Sequence, residues 1–245
     1  MFRTVEDRIQ PPCGNDLLAT LFAPTLAALR PHLTRRHVEQ GAIVEDATAG
    51  TDMVHFPETA VFCLRASVPG GKQQGFGLIG REGALNWGRV AGFSLPGGQE
   101  AVAISAGTLL AIDGRVLRDT CTFDPSLTMR MVGFAFQFAC QLGATMRSSM
   151  CDPVDVRLSR WLLLWHDRVD DGELMLTHDL LAGMLGVRRA TVTDALHVLE
   201  GERLVTSTRG RIVVRSRSLL EAYAGIAYGS ADRVGTRLTD RFGAA

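Results

Sequence analysis

The chain has 245 residues, 46% of them apolar, enough to bury a proper core in one large domain or two ordinary ones, which excludes a chain too short or too polar to fold. Lys and Arg number 26, as do Asp and Glu, so any attraction to nucleic acid must come from local charge and not from the molecule as a whole. The cysteines, Cys13, Cys63, Cys121, Cys140 and Cys151, form no Cys-x-x-Cys pair, and an odd scattered set points to a reducing cytoplasm. No run approaches the ~18 apolar residues of a membrane helix, and the start "MFRTVEDRIQPPCGN" lacks the apolar stretch of a signal peptide. A cytoplasmic protein without a membrane partner is expected.

After a polar leader ending at Pro11 and Pro12, "NDLLATLFAPTLAALRPHL" offers Asn15 or Asp16 as helix caps. It reads as one or two short helices, interrupted near Pro24 and stopped by Pro31. From Val38 to Asp119, short apolar runs such as "AVFCLRASV", "GFGLIG" and "TLLAIDG" alternate with the Gly-rich turns "PGGK", "GREG", "LPGGQ" and "IDGR". That texture predicts a β-sandwich or barrel. Asp124 and Pro125 then open a stretch without internal proline, in which Leu127, Met131, Phe134, Phe138 and Leu142 trace an apolar stripe along one helix. About 26 residues at 1.5 Å each give a helix roughly 40 Å long. Such a stripe can bury itself against a second copy of the same helix or against the chain's own β domain. "PVDVRLSRWLLLWHDRV" predicts a further helix, with Val156, Trp161, Leu164 and Trp165 for a core, followed by a turn at Asp170, Asp171 and Gly172.

"LTHDLLAGMLGVRRATVTDALHVLEGERLV" holds the most specific signal. Thr177 can cap a helix whose inward face carries Leu180, Leu181, Met184 and Leu185, and Gly186 supplies a bend. In the second helix Val192, Leu196 and Leu199 point inward together, leaving Arg188, Arg189, Thr191, Asp194 and His197 outward, with Thr193 on the flank. Helix, short glycine turn and second helix make a helix-turn-helix, whose second element lies in the major groove. Arg188, Arg189, Thr191, Thr193 and Asp194 are therefore the candidate base contacts; arginine matches the two acceptors of guanine, and threonine suits a base edge, a methyl or a phosphate. "RLVTSTRGRIVVRSR" follows, with strand-like segments Leu204 to Ser207 and Ile212 to Arg215 around a tight turn at Gly210. Arg203, Arg209, Arg211, Arg215 and Arg217 lie there without an acid among them. A basic hairpin beside such a helix is a wing. Thr177, His178, Arg209 and Arg211 are the candidate phosphate contacts.

With both halves in view, the chain resembles the Crp/Fnr superfamily of bacterial transcription regulators over nearly its whole length. The stretch from "RLSRWLLLWHDRV" to "RSRSLLEAYAG" is similar to the family's helix-turn-helix, wing and closing helix, and "VHFPETAVFCLRAS" with "GLIGREGALN" to its β-roll. The resemblance implies an α+β fold. Residues 1–123 would hold the amino-terminal helices and a jelly-roll-like β-roll sensor, 124–152 the dimerisation helix, 153–229 the winged helix-turn-helix and 230–245 a tail. It further implies a homodimer joined through Leu127, Met131, Phe134, Phe138 and Leu142, bound to double-stranded DNA at a near-palindromic site, with RNA polymerase as a further partner. Arg189 and Thr191 match the first and third of the family's base-contacting residues, whereas Ala190 replaces a glutamate and Asp194 an arginine, so a different half-site is expected.

The sensor side departs further. Cyclic-nucleotide-binding members of the family hold the phosphate with an arginine, because an anionic phosphate needs a fixed cation. Val90 to Gly114 contains no Arg or Lys, so weak or absent cyclic AMP binding is expected and no cofactor is predicted. Arg81, Glu82 and Arg89 are the residues left for an effector pocket. Cys13 stands alone where an iron-sulfur cluster would need several cysteines, and His32, His37 and His55 show no heme-ligand pattern; no metal is predicted. No phosphate loop, metal cluster or nucleophile motif speaks for an enzyme. The alternative is an effector-binding or protein-interaction module whose winged helix contacts a protein partner.

Overall fold

The computed structural model describes residues 3–4, 13–46, 52–68, 72–93, 98–169, 173–229 and 232. Pro11, Pro12, most of the "PGGK" and "LPGGQ" turns, Asp170 to Gly172 and, except Asp232, the tail lie outside the described residues. In chain order come β1 (Arg3–Thr4), α1 (Asp16–Ala19), α2 (Ala23–Leu29), β2 (Thr34–Val38), β3 (Ile43–Asp46), β4 (Met53–Pro57), β5 (Phe62–Val68) and β6 (Lys72–Ile79). β7 (Gln99–Ala103), β8 (Gly107–Asp113), α3 (Gly114–Phe123) and α4 (Pro125–Cys151) complete the first half. The second half holds α5 (Val154–His166), β9 (Glu173–Leu174), α6 (His178–Leu185), α7 (Arg189–Gly201), β10 (Val205–Thr208), β11 (Arg211–Val214) and α8 (Arg217–Ala224). The described residues fall into two units, one reaching to Leu64 and running again from Ile79 to Phe138, the other made of Arg65–Leu78 and the chain from Ala139. The boundary cuts α4, so the long helix is shared between the units and not a separate piece.

In the first unit the Asn15 carboxamide starts α1 by accepting from the Leu18 N–H (3.1 Å), while its Nδ2 donates to the carbonyls of Pro57 (2.8 Å) and Gly83 (3.0 Å). Pro24 sits in the first turn of α2, where its missing N–H is harmless. Over the amino-terminal half of the chain as a whole, the strands form the β-roll with hydrogen-bonded orders β1-β2-β8-β4 and β3-β7-β5-β6. Alternation of side chains puts Val54 and Phe56 into the core along with Leu110 and Ile112. His55, on the same strand, is also buried, and burial, helped by Arg36, pulls its imidazole down to about 4.

Two elements depart from the sequence reading. The leader contributes a strand, Arg3–Thr4 pairing with Arg36 and His37. Gly114–Phe123, which has the texture of a turn after a strand, is a helix: the Asp113 carboxylate accepts from the Arg115 N–H at 2.8 Å and Leu117 anchors the inner face.

α4 corrects the expected dimer stripe. Leu127, Met131, Phe134 and Phe138 are buried within the chain itself, and Leu142 is half-buried beside them. Phe134 lies directly on Gly83, where a Cβ would come within 2.1 Å of its ring, meets Trp87 edge-on at 6.3 Å and stacks with Phe138 at 6.1 Å. Farther along the same face, in the second unit, Gln141 brackets Leu78, accepting from its N–H (2.6 Å) and donating to its carbonyl (3.1 Å). The opposite face bears a second stripe, Met129, Val132, Phe136, Ala139, Gly143, Met146 and Met150, at alternating steps of three and four, and every member is exposed.

In the second unit α5 is the central post, burying Leu158 and Trp161 through Trp165. Arg160, 1% exposed, donates to Thr145 (3.0 Å) and pairs with Asp232 (2.7 Å), so the buried charge is compensated.

Candidate nucleic-acid interface

The Thr177 hydroxyl accepts from the Leu180 N–H at 3.2 Å and so starts α6. α6 ends at Gly186, whose φ of +67° is the left-handed conformation that favours glycine. Leu181, Met184 and Leu185 are buried as the spacing predicts, Leu180 only half so. Arg188 adopts an extended backbone as the residue before α7. α7 buries Val192, Ala195, Leu196 and Leu199 and exposes Arg189, Ala190, Asp194 and His197, with Thr191 half-buried at the edge.

The wing pairs Thr208 with Arg211 and Val205 with Val214, a two-residue hairpin loop whose Gly210 takes φ +76°. β9 adds a third strand through Leu174 and Ile212, which the short "EL" gave no means of foreseeing. The Glu200 carboxylate accepts from the Ser207 N–H at 2.7 Å, fixing the wing to α7. Arg203, Arg209, Arg211 and Arg215 are exposed. Arg217 is not exposed with them: it pairs with Asp167 (2.6 Å) and Glu221 (2.9 Å) and donates to the Tyr228 hydroxyl (2.8 Å).

A cleft of about 700 Å³ opens between the starts of α6 and α7 and the wing tip, with Thr177, His178, Asp179 and Arg189 on one side and Ser207, Thr208, Arg209 and Gly210 on the other. It brings together Thr177, His178, Arg189 and Arg209 of the expected contacts; Arg188, Thr191, Asp194 and Arg211 lie outside its lining. Arg189 Nη1 stands 3.4 Å from Asp179 Oδ2, with both side chains at least two-thirds exposed (67% and 71%). Such a pair is worth ~0–1 kcal/mol, so it orients the guanidinium without tying it up. Thr193 is engaged inside the motif: its hydroxyl donates to the Arg189 carbonyl (3.2 Å) and lies 3.0 Å from His178 Nδ1. With that proton spent, Nδ1–H donates to Thr193 and Nε2 remains for the cleft. Asp179, Glu200, Ser207 and Thr208 were missed from sequence; only Asp179, an acid in a helical first turn, left a local signal.

The residues expected around an effector are each tied to neighbours. Arg81 Nε stands 3.5 Å from Asp16 Oδ2, the Glu82 carboxylate folds back to accept from the Gly80 N–H (3.1 and 3.2 Å), and Arg89 contacts Asn86 Oδ1 (3.2 Å) and Asp52 Oδ1 (3.6 Å). Among the described residues no group of three or more His, Cys, Asp or Glu could hold a metal ion. None of their helices is long and apolar enough to cross a membrane.

The two helices, the turn between them and the three-stranded wing define a winged helix-turn-helix domain. Residues 156–223 match the Crp-like helix-turn-helix domain. Solved structures share the fold of the wider chain. FixK2 from Bradyrhizobium japonicum superposes with a TM-score of 0.67 at 15% identity, covering 79% of this chain and 98% of its own. A CRP-family transcriptional regulator from Thermus thermophilus gives 0.63 at 15%, covering 77% and 96%. The c-di-GMP-responsive global regulator CLP from Xanthomonas campestris gives 0.63 at 14%, covering 80% and 100%. No curated protein matches the sequence. The family match thus covers the carboxy-terminal helix-turn-helix domain, and the likeness of the wider chain to these structures is one of fold.

Proposed function

We propose that this chain is a transcription regulator that binds a near-palindromic DNA site as a homodimer, with α7 of each copy in the major groove and the wing on the flanking backbone. One observation carries the reading. The cleft sets Arg189, at the start of α7, beside His178 and the wing's Arg209, so that one edge of α7 can read bases while the rim grips phosphate. Arg189 reads guanine, Thr191 serves a neighbouring base edge or phosphate, and Arg188, Arg209 and Arg211 hold the backbone.

The dimer seam is the outer stripe of α4, from Met129 to Met150. Its alternating spacing keeps one apolar line facing a partner helix. Ala139 and Gly143 in its middle allow close approach of the two backbones. The 21 residue steps from Met129 to Met150 give a seam about 32 Å long, and a second copy offers the identical surface.

Binding without ordinary cyclic AMP dependence is supported by the missing arginine between Val90 and Gly114 and by the engaged state of Arg81, Glu82 and Arg89. Selection of sites from a random duplex library by the ligand-free protein, at stated salt, tests the reading. A two-fold-symmetric consensus is expected. Enrichment of nothing, with or without cyclic nucleotides, would leave a protein partner as the target of the winged helix.

A further inference from the structure

At 3.6 residues per turn, the residues farthest from the buried face of α7 are Ala190, Asp194, His197 and Gly201, a line at steps of four, three and four; all four are exposed. This line would reach deepest into a major groove. Its ends are small, and Asp194 carries its only carboxylate. Asp179 is held beside Arg189, whereas Asp194 has no hydrogen-bond or ion-pair partner among the described residues.

A carboxylate carried between two phosphate backbones is repelled unless a base donates to it. In the major groove only the exocyclic amines of cytosine (N4) and adenine (N6) donate; guanine presents N7 and O6, and thymine O4, all acceptors. Adenine's amine stands beside its own N7, so a carboxylate there gains one bond and meets one repulsion. Cytosine's amine has no such neighbour on its base.

We propose that Asp194 is a specificity-determining residue that fixes a cytosine in each half-site and excludes guanine and thymine there. The proposal rests on the DNA-reading function above and adds the identity of a base. Arg189 and Asp194 are five residue steps apart, about 7.5 Å along the helix axis, or roughly two base-pair steps of ~3.4 Å. The cytosine therefore lies about two base pairs from the guanine that Arg189 reads. An unpaired acid at this place lowers affinity for arbitrary DNA and so raises discrimination through repulsion.

The test is site selection with the full-length protein, Asp194→Ala and Asp194→Asn, each with and without cyclic nucleotide, and with thermal melts of both variants as a control for folding. The wild type should return a symmetric site with one fixed cytosine per half. Asp194→Ala should lower that preference by about 5- to 150-fold, the size of one good base contact, leaving the other positions as they were. Asp194→Asn should turn it toward adenine, whose N6 and N7 suit an amide. A wild-type site that both variants reproduce unchanged, or one lacking the cytosine, overturns this proposal alone. A wild type that enriches no sequence under either condition overturns the DNA-reading function with it.

Discussion

α4 and α7 each bury one face in the chain and leave the other exposed, but the free faces differ in chemistry. The free face of α4 carries Met129, Val132, Phe136 and Met146, whereas that of α7 carries Arg189, Asp194 and His197 between small residues. Burial identifies which face is available; composition then identifies what can cover it. An apolar line loses nothing by desolvation and suits a second apolar helix, while arginine and aspartate need polar edges that repay their lost water.

The largest contrast lies within α4. Phe134→Ala empties a site filled against Gly83 and Trp87 and should cost ~3–5 kcal/mol in denaturant unfolding, whereas Phe136→Ala should leave the monomer nearly as stable. Equal losses would mean that the two faces are wrongly distinguished. Phe136→Glu places like charges in the seam, and sedimentation should register a weakening of the dimer by about a hundredfold or more.

Acid should act on the buried side of the molecule. His55, held near 4 by burial, stays neutral in the fold while the unfolded chain takes up a proton near 6.5. The stabilisation is therefore complete above pH 6.5 and falls as pH drops toward 4, by about 3 kcal/mol at the limit. His166, also lowered by burial and by Arg217, acts in the same direction. Unfolding curves at pH 7 and pH 5 for the wild type and His55→Leu should show the variant less pH-sensitive; identical slopes would rule out His55 as a source.

On α7 the effects are smaller and concern selectivity. Arg189→Ala should lose about 1–3 kcal/mol of discrimination between the selected site and random duplex. Arg211→Ala should weaken all sequences alike and reduce the salt slope by about 1. If the two substitutions behave alike in competition binding, base reading and backbone gripping are not separate in this protein.

What was legible in the sequence was local. Thr177 before α6, Gly186 after it and Gly210 in the wing act within a few residues of themselves, and the structure has each in its expected role. The β-roll was readable as a texture, but α3 was not, because its start on Gly114 looks like one more turn. In this domain the partners of Thr193 and Arg217 were not legible. Each meets partners that lie far off in sequence: His178 for Thr193, and Asp167 and Tyr228 for Arg217.

The sequence by itself determined the winged helix, its caps and turns, and the position of Arg189 at the head of α7, because helical period and glycine conformation are properties of neighbouring residues. Only the tertiary structure decided which apolar stripe of α4 was already covered. Two stripes on opposite faces of one helix have the same spacing, and periodicity fixes which residues point together without saying toward what. Gly83 and Trp87, folded against Phe134, claimed the inner stripe and left the outer one exposed.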